Sequence, residues 1–122
     1  MKLESGLFEG PYSFSTRFES APGTNPEELI GAAHAGCFSM ALAGVLGRKK
    51  TPPRRIETTA EVRIEQEGQG FRITSSDLHT TADVPGLSEE DFRLAADEAK
   101  ANCPVSRALA GVKISLDAKL VK

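Results

Sequence analysis

The stretch "LIGAAHAGCFSMALAGVLG", residues 29–47, runs nineteen residues without a charged side chain and holds one of the chain's two cysteines at its centre. Just ahead, "NPEE" reads as a helix start: Asn25 as N-cap, Pro26 at the first helical position, Glu27 and Glu28 in the first turn. The helix is expected to run to about Leu46, with Gly47 and the basic "RKK" as its stop signal. Its length approaches the roughly twenty apolar residues that span a bilayer. Against a membrane span stand its four glycines, its histidine and serine, and its alanine-rich character, with no second such segment in the chain. A helix apolar all round serves equally as the central helix of a packed core, or as one covered by a partner subunit.

Outward from this helix the apolar spacing changes to a period of two. "YSFSTRFES" alternates, with Phe14, Thr16 and Phe18 on one face and Ser13, Ser15 and Arg17 on the other, which predicts a half-buried strand. "IETTAEVRIE" places Ile56, Ala60, Val62 and Ile64 on one face, and "GQG" predicts a hairpin turn into "FRITSSDLHTTADV". In that second strand the apolar positions switch from odd (Phe71, Ile73) to even (Leu78, Ala82, Val84), which calls for a bulge near Ser75–Asp77. Ser88 caps a second helix with Asp91 at the capping-box position and an apolar stripe of Phe92, Leu94, Ala95 and Ala99. Cys103 precedes Pro104, so that helix should stop or kink there, and "PVSRALAG" can start a short new one. "VKISLDAKLVK" alternates with Val112, Ile114, Leu116, Ala118 and Leu120 inward. The order strand, helix, hairpin, helix, strand is an α+β arrangement, read as a mostly antiparallel sheet under a long buried central helix. Four strands are few to cover that helix, and dimerisation is the simplest way to bury the rest.

The 122 residues suit one domain, 1–122. Fifteen basic and seventeen acidic side chains, with no run of like charges, give no phosphate-binding surface and argue against a nucleic-acid partner. "MKLESGLFEG" has acidic residues and no apolar h-region, so no signal peptide is expected and the default location is cytoplasmic. In that compartment two cysteines are more often free, catalytic or redox-active than a structural disulfide. Cys37 and Cys103 lie 66 positions apart, and neither belongs to a CxxC or zinc-ligand pattern.

A thiol at mid-helix in apolar surroundings has its pKa raised, so Cys37 is inert filler unless a cation compensates. Arg17 is the candidate, because a guanidinium stays charged on burial. Cys103 sits where one helix breaks and another begins, where amide donors favour a thiolate; the plain alternative is a small residue under a kink. Glu27 is ten residues from Cys37, about 15 Å along the axis, so a partner subunit would have to bring it to the same site. Read alone, Glu27 is a first-turn acid favoured by the dipole. His34 lies one turn before Cys37 and reads either as a local base or, more simply, as a satisfied core histidine. His79 reads as a surface residue.

Three motifs together, "TRFE", "GTNPEELIGAAHAGCFSMAL" and "CPVSRAL", resemble the osmotically inducible protein C and organic hydroperoxide resistance family (OsmC/Ohr), over Tyr12 to the end of the chain. The "EELIGAAHA" and "CPVS" wording is more similar to the OsmC branch. The resemblance implies an OsmC-like fold in an intertwined homodimer, and a thiol peroxidase that reduces organic hydroperoxides without metal, haem or flavin. It makes Cys37 peroxidatic and Cys103 resolving, with Arg17 stabilising the thiolate and Glu27, from the partner chain, orienting Arg17. It implies recycling by an external dithiol such as a lipoylated protein, and a role in oxidative or osmotic stress. Relatives carry a further hairpin ahead of "PYSF", so the N-terminal strand region is expected to be shortened here. The competing reading is a redox-sensing or binding module on the same dimeric fold, whose Cys37 is oxidised without rapid recycling.

Overall fold

The computed structural model describes residues 1–11 and 23–121. The strand expected over "YSFSTRFES", and Arg17 within it, lie outside the described residues. Six elements follow in order: α1 (Pro26–Arg48), β1 (Arg55–Glu67), β2 (Gly70–Asp83), α2 (Glu89–Asn102), α3 (Pro104–Ala108) and β3 (Lys113–Val121).

Helix α1 begins as its sequence dictates. The Asn25 side chain accepts from the Glu28 amide at 2.8 Å, with Pro26 at the first turn. Its end is not where the glycine suggested. Gly47 stays helical, and the turn comes at Lys50, whose φ of 60° is left-handed, while the Thr51 amide reaches back to the Leu46 carbonyl at 3.0 Å. That six-to-one bond closes the helix as a Schellman turn does, with lysine at the position glycine usually takes.

The hairpin pairs β1 antiparallel to β2, and the register shifts between Arg63 and Ile64, so that Thr74 on β2 is the extra residue. The bulge thus sits one residue before the window the sequence suggested, and it turns the face: Ser76, Leu78, Thr80 and Ala82 are buried, on the even positions. The sheet is mixed rather than antiparallel throughout. Strand order is β1-β2-β3, and β3 runs parallel to β2. The physical reason is the connection: α2 and α3 carry the chain back over one face before β3 begins, the crossover a parallel pair requires.

The core is where α1, β2 and α2 meet: Phe38, Leu42, Val45 and Leu46 against Leu78, Ala82 and Val84, with Phe92, Ala95, Ala96 and Ala99 closing the far side. On α2 the buried stripe holds Ala96, while Leu94 is exposed, because a 3.6-residue period groups 92, 95, 96 and 99 and sends 94 outward. Helix α1 lies close on β1: a Cβ on Gly31 would meet the Ala60 carbonyl oxygen at 2.9 Å. It is long and apolar enough to cross a membrane by length and composition. Among the described residues, however, only one of its faces is buried. Ala32, Ala33, Gly36 and Met40 are exposed, Met40 at 78%.

Candidate active site

The middle of α1 and the junction of α2 with α3 bring the two cysteines together from 66 positions apart. Both are free thiols, Cys37 half-buried and Cys103 fully buried. The two thiols lie close enough that each shifts the protonation of the other. Cys103 is at once the C-cap of α2 and the N-cap of α3, with φ −56° and ψ 126°, the extended conformation that a following proline imposes. That conformation turns its sulphur toward the free amides of the next turn, and the Ser106 N–H donates to it at 3.5 Å.

The charges follow from these donors. Burial pushes the Cys37 thiol up, and its hydrogen bond to Cys103 pushes the same way, against one opposing bond from the Val105 amide. At Cys103 burial is again the largest single effect and acts upward. It is outweighed by hydrogen bonds from Cys37, from the amide and hydroxyl of Ser106 and from the Val105 amide, so this thiol titrates below its ordinary value. Among the described residues, then, the donors favour negative charge on Cys103 over Cys37. The sequence reading gave Cys37 its thiolate through Arg17, which lies outside the described residues. Glu27 is buried in the first turn of α1, beside a cavity of about 420 Å³ bounded by Ala60, Val62 and Ile64 of β1. It is not at the cysteines: ten residues of helix, about 15 Å, separate it from Cys37.

His34 is the satisfied core histidine that the simpler reading favoured. It is fully buried, with Nδ1 2.7 Å from Ser76 Oγ and Nε2 2.8 Å from Ser106 Oγ. Burial lowers its pKa from 6.5, which keeps the ring neutral. Ser76 and Ser106 were not singled out from sequence. A signal for Ser106 existed, since it stands three residues after an N-cap, where a capping side chain finds its donor. Nothing local marked Ser76, whose partner is 42 positions away. His79 is on the surface, 3.6 Å from Asp117. No group of three or more metal-ligating side chains exists among the described residues.

A mixed α+β fold that brings two free cysteines close together at a helix junction defines a dithiol protein. The OsmC-like protein family matches residues 19–117. Over 121 residues the chain is 49% identical to peroxiredoxin OsmC of Escherichia coli (strain K12), covering 98% of this chain and 84% of that one. It is 33% identical over 90 residues to the organic hydroperoxide resistance protein of Xanthomonas axonopodis pv. citri, 73% of this chain and 61% of that one. Among solved structures, an organic hydroperoxide resistance protein from Elizabethkingia anophelis with thiocyanate bound superposes with a TM-score of 0.80 at 27% identity, covering 98% of this chain and 86% of that one. The chain belongs to the OsmC-like protein family.

Proposed function

We propose that this chain is a cysteine-based peroxidase that reduces organic hydroperoxides, alkyl or lipid, to alcohols through the pair Cys37 and Cys103. The observation that carries the reading is that the two thiols come close enough to shift each other's protonation, one half-exposed and one buried among donors. It is supported by a curated relative named peroxiredoxin OsmC and others named organic hydroperoxide resistance proteins.

The more exposed Cys37 meets the peroxide. Its thiolate attacks the distal oxygen, the O–O bond breaks, the sulphur becomes a sulfenic acid and the alkoxide takes a proton to leave as an alcohol. Cys103 then attacks the sulfenic sulphur, giving a disulfide and water, and an external dithiol, for instance a lipoyl group, returns both thiols. Arg17 is assigned to hold Cys37 as a thiolate, since the described surroundings of Cys37 do the opposite. Glu27 is assigned to orient Arg17 across a homodimer. The exposed small-residue face of α1, with Met40 prominent, supports such a dimer, because a second copy would cover it. No metal, haem or flavin takes part, and a cytoplasmic location fits free thiols.

The test is steady-state turnover of an organic hydroperoxide with a dithiol reductant. Cys37→Ser is expected to abolish it, and turnover retained in that variant sinks the reading. Cys103→Ser should let sulfenic acid accumulate and over-oxidise. The competing reading is a redox-sensing module on the same fold, whose Cys37 is oxidised without rapid recycling. A single stoichiometric oxidation without turnover would decide for that reading.

A further inference from the structure

A line of buried polar groups leads away from Cys103, and the chemistry above gives it nothing to do. His34 on α1 bridges Ser76 on β2 and Ser106 on α3 at 2.7 and 2.8 Å, and all three are buried. The Ser106 amide donates to the Cys103 sulphur at 3.5 Å, and its hydroxyl stands where it favours negative charge on that sulphur. Counting protons orients the line. A neutral imidazole offers one N–H and one acceptor, and a serine hydroxyl offers one proton. When Ser106 spends its proton on the thiolate of Cys103, its oxygen must accept from His34 Nε2–H. Nδ1 is then the acceptor, and the Ser76 hydroxyl donates to it. Every donor in the line therefore points toward the sulphur.

We propose that His34 is a positioning residue for Cys103: held by Ser76 and donating to Ser106, it locks the Ser106 hydroxyl onto the sulphur, so that Cys103 stands ready as the thiolate that closes the disulfide. This rests on the reading of Cys103 as the resolving cysteine. In that step the Cys103 thiolate displaces hydroxide from the sulfenic sulphur of Cys37. An S–S bond forms, the S–O bond breaks, and the hydroxide leaves as water with a proton from solvent. A hydroxyl free to rotate would spend part of its time donating elsewhere, and the thiolate would lose a bond it needs before attack. Among the described residues, the titratable group that acts directly on Cys103 is Cys37, and His34 reaches it through Ser106; both are on α1.

The test uses the reduced full chain with Cys37→Ser, so that ultraviolet thiolate absorbance reports Cys103 alone as pH is raised. Losing one hydrogen bond to a charged sulphur should move its midpoint up by about one pH unit, a roughly tenfold loss of thiolate below it. That is the result expected for Ser106→Ala and for His34→Phe. His34→Gln, whose carboxamide can accept from Ser76 and donate to Ser106, should restore most of the shift, which a merely space-filling role would not. An unmoved midpoint in Ser106→Ala overturns the proposal, as does His34→Gln behaving like His34→Phe. Ser106→Ala removes one hydroxyl and keeps the backbone donor, so it decides the question even if the histidine variants do not fold. The titration needs no peroxide and is independent of the peroxidase reading. That reading has its own failure: wild-type protein that forms no Cys37–Cys103 disulfide with an organic hydroperoxide, which would also remove the role in closure.

Discussion

Oxidation of Cys37 and Cys103 to a disulfide perturbs stability by two opposed effects, and the structure sets the size of each. The cysteines are 66 positions apart, and a cross-link over a loop that long removes about 4 kcal/mol of entropy from the unfolded chain. Oxidation also weakens what the reduced state gains at Cys103 from the amide and hydroxyl of Ser106 and from the Val105 amide. A disulfide sulphur keeps these donors as weaker bonds, so the net loss is about that of one hydrogen bond to a charged group, roughly 1.5–3 kcal/mol. Chain entropy therefore wins narrowly, and the oxidised form should be the more stable by about 2 kcal/mol. Linkage makes the same quantity the preference of the fold for disulfide over dithiol, a two-electron potential about 40 mV below that of the unfolded chain. The measurement is a pair of urea titrations, one on reduced protein and one after a single equivalent of an organic hydroperoxide, compared through midpoint and slope. Equal or lower stability in the oxidised form would refute the claim that the thiols are poised to close. A gain of the full 4 kcal/mol would refute the opposing weight given to the donors at Cys103.

Three other outcomes are expected. Gly31→Ala gains about 1 kcal/mol in helix propensity, but its Cβ would meet the Ala60 carbonyl at 2.9 Å. Backbone cannot swing aside, and overpacking costs roughly 1–3 kcal/mol, so a net loss near 1 kcal/mol should appear in urea melts. Lys50→Gly relieves the left-handed φ of 60° that ends α1 and should raise stability by up to about 1 kcal/mol, read as a higher Tm. His34 has a pKa lowered by burial from 6.5, so below that pH the unfolded chain binds a proton that the folded chain refuses. Its contribution is complete above 6.5 and lost as pH falls toward the folded pKa. Urea midpoints at about pH 7 and about pH 5 should therefore differ less in His34→Gln than in wild type, and an identical difference would refute the assignment.

Much of the fold was legible because its signals are local. Asn25, Pro26 and Ser88 each act within one turn, and the alternation in β1 and β3 depends on the strand's own pleat. The bulge was legible too, since a change of face at period two has few causes. The parallel pairing of β3 was not, because strand direction depends on where α2 and α3 carry the chain. Leu94 was misplaced on the buried stripe, an error of helical phase rather than of element.

At the site the division is similar. Sequence by itself determined a long uncharged helix with a cysteine at its centre, a second cysteine held extended before a proline, and their membership in one family through the motifs around them. Spacing along α1 also determined that Glu27 cannot share a site with Cys37 within one chain. Only the tertiary structure decided that the two thiols come close to each other, that the described donors converge on Cys103 rather than Cys37, and that His34 and Ser106 lead there from Ser76. The reason is physical. A thiol's charge is set by donors within a hydrogen bond's reach, and here they come from α1 and α3, with β2 behind them through His34, elements that only the folded chain brings together.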